Sequence, residues 1–254
     1  MRYAEMTPRE LGQAWSRFPC AVAPWGALEW HGSHLPLGLD GIVADRFSES
    51  LAENLGAVLL PCCWMPVTPL PHRHSLAVRT DTFQRLIDDV LSGLYASGAR
   101  TIAVVTGHYA QGHVIELYEA ALRAMEDFEG LRVFAGSPLE PLGNEDLLDH
   151  AGRYETSQLL AMRPDLVRLD QFETSASASD NAVLGDAPQA ASAEEGEALL
   201  TSGLERWTTW ISSSSPVDLE KHYKQRFDVY QEYVDEFYEG SWESAIEAWW
   251  KTKA

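Results

Sequence analysis

Six residues, Thr101-Ile-Ala-Val-Val-Thr106, carry no charge and are rich in β-branched side chains. A strand without polar alternation has to be covered on both faces, the condition of a parallel sheet between layers of helices. The flanks agree. Residues 81–97 place Phe83, Leu86, Ile87, Val90, Leu91 and Leu94 at helical spacing, and Gly98 follows as a C-cap. After the strand come Gly107 and His108, then a helical stretch at 113–127. Further strands are read at Cys20-Ala-Val-Ala-Pro-Trp-Gly26, at 57–62 and at 131–135, and further helices at 41–55 and 153–161. A first helix is read at 7–16, with Thr7 as N-cap, Pro8 in the first turn and Glu10 three residues on. Strands alternating with helices predict an α/β chain, a three-layer αβα sandwich with a mostly parallel central sheet.

With 254 residues, 45% of them hydrophobic, the chain can bury one large α/β core. No apolar run approaches the roughly 20 residues that cross a bilayer. The N-terminal decapeptide carries acids where a secretory signal would be apolar, so a cytoplasmic location is expected. The net charge of −19 argues against nucleic acid or an anionic membrane as partner, since phosphate binding needs clustered cations. All four lysines (Lys221, Lys224, Lys251, Lys253) lie near the C-terminus, a pattern shared by proteins of salt-rich cytoplasm and by ordinary acidic proteins. Cys20, Cys62 and Cys63 have neither the number nor the spacing of a disulfide framework or a CxxC zinc site, and read as buried thiols.

The low-complexity stretch at 174–180 reads as a loop, and serines 212–215 as a break. This divides the chain into residues 1–211, carrying the chemistry, and an acidic helical extension, 212–254. The extension is rich in aromatics, among them Tyr223, Tyr230, Trp242, Trp249 and Trp250, which read as packing residues within the chain or between subunits. A lid over a neighbouring site is the sharper alternative.

Three segments concentrate reactive side chains. Gly26-Ala-Leu-Glu-Trp-His-Gly-Ser-His-Leu-Pro-Leu-Gly-Leu-Asp40 puts Glu29, His31, His34 and Asp40 in a loop that follows a strand, where open α/β sheets bind ligands. Mixed carboxylate and imidazole donors suit zinc, manganese or iron, and Glu29 and His31, two apart, point to the same side of an extended loop. The second segment, Thr106-Gly-His-Tyr-Ala-Gln-Gly-His113, sets His108 at the tip of the clearest strand. In the third, Asp149-His-Ala-Gly-Arg-Tyr-Glu-Thr-Ser157, His150 precedes a helix and Glu155 lies one turn inside it. Read alone, His150 is as well explained by a helix-capping contact and Glu155 by a helix-face carboxylate.

Together these segments resemble the creatininase family, creatinine amidohydrolase and its relatives. Residues 26–40 match the family loop Gly-x-x-Glu-x-His-Gly-x-His-Leu-Pro-x-x-x-Asp. Residues 107–108 match its Gly-His turn, and 150–157 match His-Ala-Gly-x-x-Glu-Thr-Ser. A later Gly-Asp-Pro-x-x-Ala pattern is echoed at 185–190, and the resemblance spans about 5–210. It implies a creatininase-like fold and one or two divalent ions per subunit, Zn2+ before Mn2+ or Fe2+. Glu29, Asp40 and His108 would hold one ion, and His31 with the bridging Asp40 the second, with Glu155 either completing that second site or orienting water. His150 would pass a proton to the leaving nitrogen, and His34 would orient the loop. The implied activity is hydrolysis of a small or cyclic amide by metal-activated water, in a homo-oligomer, a hexamer or another ring.

Departures from the family pattern bear on the substrate. The ligating Glu of creatinine-opening members is Ala110 here. The usual Pro-Gly-Thr turn is Pro71-His-Arg-His-Ser75, where His72 and His74 either contact substrate or sit on a surface loop. Residues 140–149 lack the tryptophans of the creatinine-opening enzymes, so creatinine is not the expected substrate. Relatives also act on formamido-pyrimidines, on a peptide precursor of a redox cofactor and, by ring opening, on keto-inositol compounds. The alternatives are therefore a ring-opening hydrolase of a sugar-like compound, or a metal-binding member without catalysis.

Overall fold

The computed structural model describes residues 1–173 and 180–253, so all but the last residue of the low-complexity stretch at 174–180 falls outside the described residues. Four strands, β1 (Cys20–Trp25), β2 (Val58–Leu59), β3 (Thr101–Thr106) and β4 (Arg132–Gly136), form one sheet in the order β2-β1-β3-β4. Every pairing is parallel, and β1 runs in register with β3 from Cys20 opposite Thr101 to Trp25 opposite Thr106. All residues of β1 and β3 are buried, as continuous apolar strands between two helical layers must be. β2 is shorter than the sequence pattern suggests because Pro61, which has no amide hydrogen, interrupts the pairing, which resumes only as a bridge between Trp25 and Cys63.

The helices named in the sequence all form. They are α1 (Pro8–Arg17), α2 (Leu39–Leu55), α3 (Thr80–Ser97), α4 (Gln111–Asp127) and α5 (Arg153–Met162). The capping box of α1 is present in both directions. The Thr7 hydroxyl accepts from the Glu10 amide, and the Glu10 carboxylate accepts from the Thr7 amide at 2.8 Å. A further helix, α6 (Ala193–Ser213), has no counterpart in the sequence reading. It packs so tightly on α5 that a Cβ on Gly196 would lie 1.9 Å from the Ser157 carbonyl oxygen, so this glycine is a contact point and not a break. Two more helices, α7 (Pro216–Phe237) and α8 (Trp242–Lys251), complete the chain. Leu219, Tyr223, Tyr230, Tyr233 and Trp242 from these two helices are buried in the same hydrophobic cluster as the sheet. No described helix is long and apolar enough to cross a membrane.

Helices α2, α5 and α6 pack against one another, and α3, α4 and α7 form a second group. This division follows from handedness. The connection from β1 to β2 and the one from β3 to β4 step in opposite directions along the sheet, and right-handed crossovers then place their helices on opposite faces. The direction reverses between β1 and β3, which opens a crevice at the carboxyl ends of these two strands.

Candidate metal centre and active site

The loops that leave β1 and β3 carry Glu29, His31 and His108 into this crevice, and the first turn of α2 brings Asp40 over it. The approach is very close. A Cβ on Gly107 would lie 2.0 Å from the Asp40 carbonyl oxygen, so only glycine lets α2 start directly against the end of β3. Glu29, His31, Asp40, His108 and Glu155 are each at least 97% buried, far from the usual place of carboxylates.

The geometry of these groups divides around Asp40. Its Oδ1 lies 2.9 Å from His31 Nε2, while its Oδ2 lies 3.2 Å from His108 Nδ1. Glu29 Oε2 is 2.8 Å from the same His108 nitrogen, and Glu155 Oε2 is 3.7 Å from His31 Nε2. Two donor sets result, Glu29–Asp40–His108 and His31–Asp40–Glu155, each with its ligand atoms mutually within 4.8 Å. Despite these short separations, Glu29 Oε2, His31 Nε2, both Asp40 oxygens and His150 Nε2 make no aligned hydrogen bond. Buried polar atoms are ordinarily paired. Donor atoms that converge on a common point instead of on each other are arranged as a divalent cation needs them, so these residues fit the metal that the sequence implied.

The imidazoles are held to suit this. His31 Nδ1 donates to the Glu29 carbonyl at 3.1 Å, His108 Nε2 to the Val67 carbonyl at 3.0 Å, and His150 Nδ1 to the Ala182 carbonyl at 2.7 Å. A carbonyl only accepts, so each contact fixes a proton on that nitrogen and turns the other nitrogen toward the cluster, where a cation could take the place of its proton. The carboxylates are fixed in the same way. Glu29 Oε1 accepts from the Leu70 amide at 2.6 Å, and Glu155 Oε2 from the Ala151 amide at 2.7 Å. His34 lies beneath, its Nε2 donating to the Ala151 carbonyl at 3.0 Å.

Thr68, Ala151 and Ala182 are the described non-glycine residues with positive φ (55°, 50° and 59°). All three lie in loops that hold the cluster, and Ala151 and Ala182 supply contacts themselves. Left-handed backbone costs a residue with a side chain roughly 1–3 kcal/mol, and it persists here because it aims backbone groups at the site.

The electrostatics follow from burial and crowding. Burial opposes charge on His31, yet Asp40, Glu155 and Glu29 around it raise it to about 10. His108 is likewise raised despite burial, chiefly by Glu29, and Glu29 is held low, against burial, by His108 and His150. Burial raises Glu155, and the nearby Asp40 and Asp149 add to it. Protons on imidazole thus balance clustered carboxylates, a task a bound cation performs equally well.

A cavity of about 360 Å³ opens over the cluster, lined by Glu29, His108, His150 and Glu155 on its floor. The His150 ring stacks on His31 at 4.4 Å, and its Nε2 sits 3.3 Å from Glu29 Oε1, with the side chain 14% exposed toward the opening. Capping of α5 falls to Asp149, whose carboxylate accepts the amides of Tyr154 (2.6 Å) and Glu155 (3.0 Å), leaving His150 free for other work. Ala110 lines the cavity, and Glu155 stands beside His31 and Asp40.

The creatininase (creatinine amidohydrolase) family model matches residues 4–211. The chain belongs to this family. It is 29% identical to the creatinine amidohydrolase of Pseudomonas putida over 66% of this chain and 74% of that one. It is 28% identical to the mycofactocin precursor peptide peptidase of Mycobacterium tuberculosis over 74% of this chain and 84% of that one. A solved creatininase superposes with a TM-score of 0.72 at 22% identity, covering 83% of this chain and 96% of that one. Creatininase structures described as a manganese form and as a Zn-Zn type give 0.74 and 0.70. The family, the αβα fold and membership among amidohydrolases stand as the sequence predicted.

The creatininase-family motifs thus converge: Glu29, His31, Asp40, His108, His150 and Glu155 come from three separate segments into one cluster. His72 and His74 do not line the cavity. His72 stacks on Trp30 at 4.5 Å and His74 is exposed. The backbone supports at Val67, Leu70, Ala151 and Ala182 leave no mark on residue identity, since nearly any residue supplies an amide or carbonyl. Val229, Tyr230, Ile246 and Trp249 of the C-terminal extension line the cavity of their own chain, where the sequence favoured packing contacts and held a lid over a neighbouring site as the alternative.

Proposed function

We propose that this creatininase-family chain is a metal-dependent amidohydrolase that cleaves the C–N bond of a small amide. The observation that carries the reading is the division of Asp40. Its two buried oxygens face different donor sets, and neither is committed to a hydrogen bond. Glu29, Asp40 and His108 would hold one divalent ion, and His31, Asp40 and Glu155 a second, with Glu155 in place of the carboxylate missing at Ala110. Such ions polarise an amide carbonyl and acidify water. Zinc and manganese are the candidates, since mixed carboxylate and imidazole sets suit both.

The protein's own groups supply the rest. His150, with its proton on Nδ1 fixed by Ala182, presents Nε2 to the cavity, where it can take a proton from water and return it to the departing nitrogen. Its stacking on His31 and its place beside Glu29 hold the ring against the cluster. Buried walls exclude bulk water, so the carboxylates act in a medium where their charge counts for more.

The test is metal content by elemental mass spectrometry on protein purified without chelator or affinity metal. Two ions per chain are expected, falling to none in Asp40→Ala. One ion would reduce the centre to a single Lewis acid. Full metal content in Asp40→Ala would overturn the bridging role. None in the wild type, even after zinc or manganese is added, would favour a non-catalytic member.

A further inference from the structure

The family match ends at residue 211, yet the cavity over the cluster is closed on one side by side chains from beyond it. Val229 and Tyr230 reach it from α7, and Ile246 and Trp249 from α8. Leu148 and Leu184 also line the cavity. We propose that these two C-terminal helices are the specificity wall of the active site, selecting amides that carry an apolar, uncharged or cationic substituent and rejecting anionic ones. The inference rests on the reading of the cluster as the reaction centre.

The wall is anchored, not draped. The Trp242 indole donates to Glu116 Oε1 on α4 at 2.6 Å, and the Gln84 amide of α3 satisfies the other oxygen at 2.8 Å. The Glu243 carboxylate accepts from the amide of Thr80 at 2.7 Å, at the start of α3. On α7, Arg226 binds Glu145 through two guanidinium nitrogens and reaches Glu140 at 3.0 Å. Four apolar side chains are therefore held at a fixed height above the cluster. Val229, 52% exposed, marks the rim.

Charge sets the second half of the selection. Among the described residues, the charged ones lining the cavity beyond the cluster are Glu145 and Asp149, and no lysine or arginine lines it. Arg226 lies behind, its guanidinium committed to Glu140, Glu145 and the hydroxyls of Tyr118 and Tyr230. A substituent leaving the reaction centre therefore meets apolar surface first and the half-exposed carboxylate of Glu145 beyond it. An anionic group would find like charge and no lysine or arginine left to pair with it, a mismatch that discriminates against it.

Hydroxamates test this because the headgroup engages a metal while the substituent reads the wall. Binding of acetohydroxamate, benzohydroxamate and 4-carboxybenzohydroxamate to the zinc-loaded full chain is measured by calorimetry. Benzohydroxamate is expected to bind about tenfold or more tighter than acetohydroxamate, the scale of burying a ring. The 4-carboxylate is expected to lose about tenfold relative to benzohydroxamate. Trp249→Ala should shrink the benzo-to-aceto ratio to within about threefold. Val229→Ser, at the half-exposed rim, should shrink it less while folding normally. A ratio near one in the wild type, a ratio unmoved by both variants, or a preference for the 4-carboxylate would overturn the wall. If acetohydroxamate itself fails to bind, the metal reading falls instead. The wall is then judged on the metal-free protein by NMR with benzamide and benzoate, where benzamide must win and must depend on Trp249.

Discussion

The two walls of the cavity are built on different principles. The reaction side is made of loops at strand ends, with its imidazoles and the carboxylates of Glu29 and Glu155 tied to backbone groups and three non-glycine residues held at positive φ. The opposite side is made of helix faces, whose apolar side chains are spaced along α7 and α8 and fixed by side-chain pairs at a distance. Chemistry needs donor atoms placed to a fraction of an ångström, which short strained loops on a rigid sheet provide. Selection needs only shape and the right charge, which helices appended to that sheet provide and can exchange without disturbing the centre.

If this contrast is right, damage to the two walls has different signatures. The largest effect is expected at His150. His150→Ala should keep its metal and lose turnover by about 10²–10⁴-fold, the range for a positioned acid–base group. Trp249→Ala should act mainly through KM, because it touches the substituent and not the scissile bond. Amine release from a panel of small amides, with kcat and KM separated, reads both. Normal turnover by His150→Ala would remove its proton-transfer role and with it the sharpest difference between the walls.

Arg226 is where the walls meet. It runs from α7 to Glu140 and Glu145, in the segment that leads to His150, and is 8% exposed. Arg226→Met keeps most of the volume but leaves Glu140, 7% exposed, with only His222 at 3.0 Å as a partner. Stripping one member from a buried ion pair costs about 3 kcal/mol or more, readable as a shift in the urea midpoint. A loss below about 1 kcal/mol would mean that the extension is held by its aromatics alone.

The same contrast explains what the sequence disclosed. Strands β1 and β3 were legible because a charge-free β-branched run has few other uses. The cluster residues were legible because Glu29, His31, His34 and Asp40 are compressed into one short window, residues 26–40. Helix α6 was not, since Gly196, read locally, is a helix breaker and only its contact with Ser157 explains it. The wall was legible only as the alternative of a lid over a neighbouring site, because Tyr230 and Trp249 are separated by a turn and look like ordinary core aromatics on their own helices. The supports at Val67 and Ala182 act through their carbonyl groups, which leave no mark on residue identity.

Acid tests the reaction side alone. Burial pushes His34 down to about 4, well under the 6.5 of a free imidazole. Above pH 6.5 both states are neutral and nothing is gained or lost. As pH falls below 6.5 the unfolded chain takes up a proton that the folded chain refuses until about pH 4, so stability drains away over that window. For the metal-stripped protein this amounts to roughly 2 kcal/mol at pH 5. His31, raised to about 10, has its full contribution already in place below 6.5, while Asp149, raised to about 6 by burial, acts with the opposite sign. The readout is therefore the difference between wild type and His34→Gln, which keeps a donor for the Ala151 carbonyl. Parallel pH profiles would show that His34 is charged or hydrated in the folded protein.

The smallest effect lies on the helix side, at Tyr223. β4 is an edge strand, and edges leave backbone groups in need of partners. The Tyr223 hydroxyl fills this need twice, accepting from the Ala135 amide at 2.8 Å and donating to the Val133 carbonyl at 2.7 Å, both in a buried setting. α7 is thus sewn to the sheet by one oxygen atom. Tyr223→Phe removes that atom, leaves the ring packed on Tyr118, and exposes no new surface. The cost is the desolvated amide and carbonyl left behind, roughly 1–2 kcal/mol. It should appear as a lowered urea midpoint with faster hydrogen exchange at the Ala135 amide. Turnover should stay as in the wild type, because Tyr223 does not line the cavity. If exchange at Ala135 does not change, another group satisfies the edge, and α7 is attached to the catalytic sheet by its apolar face alone.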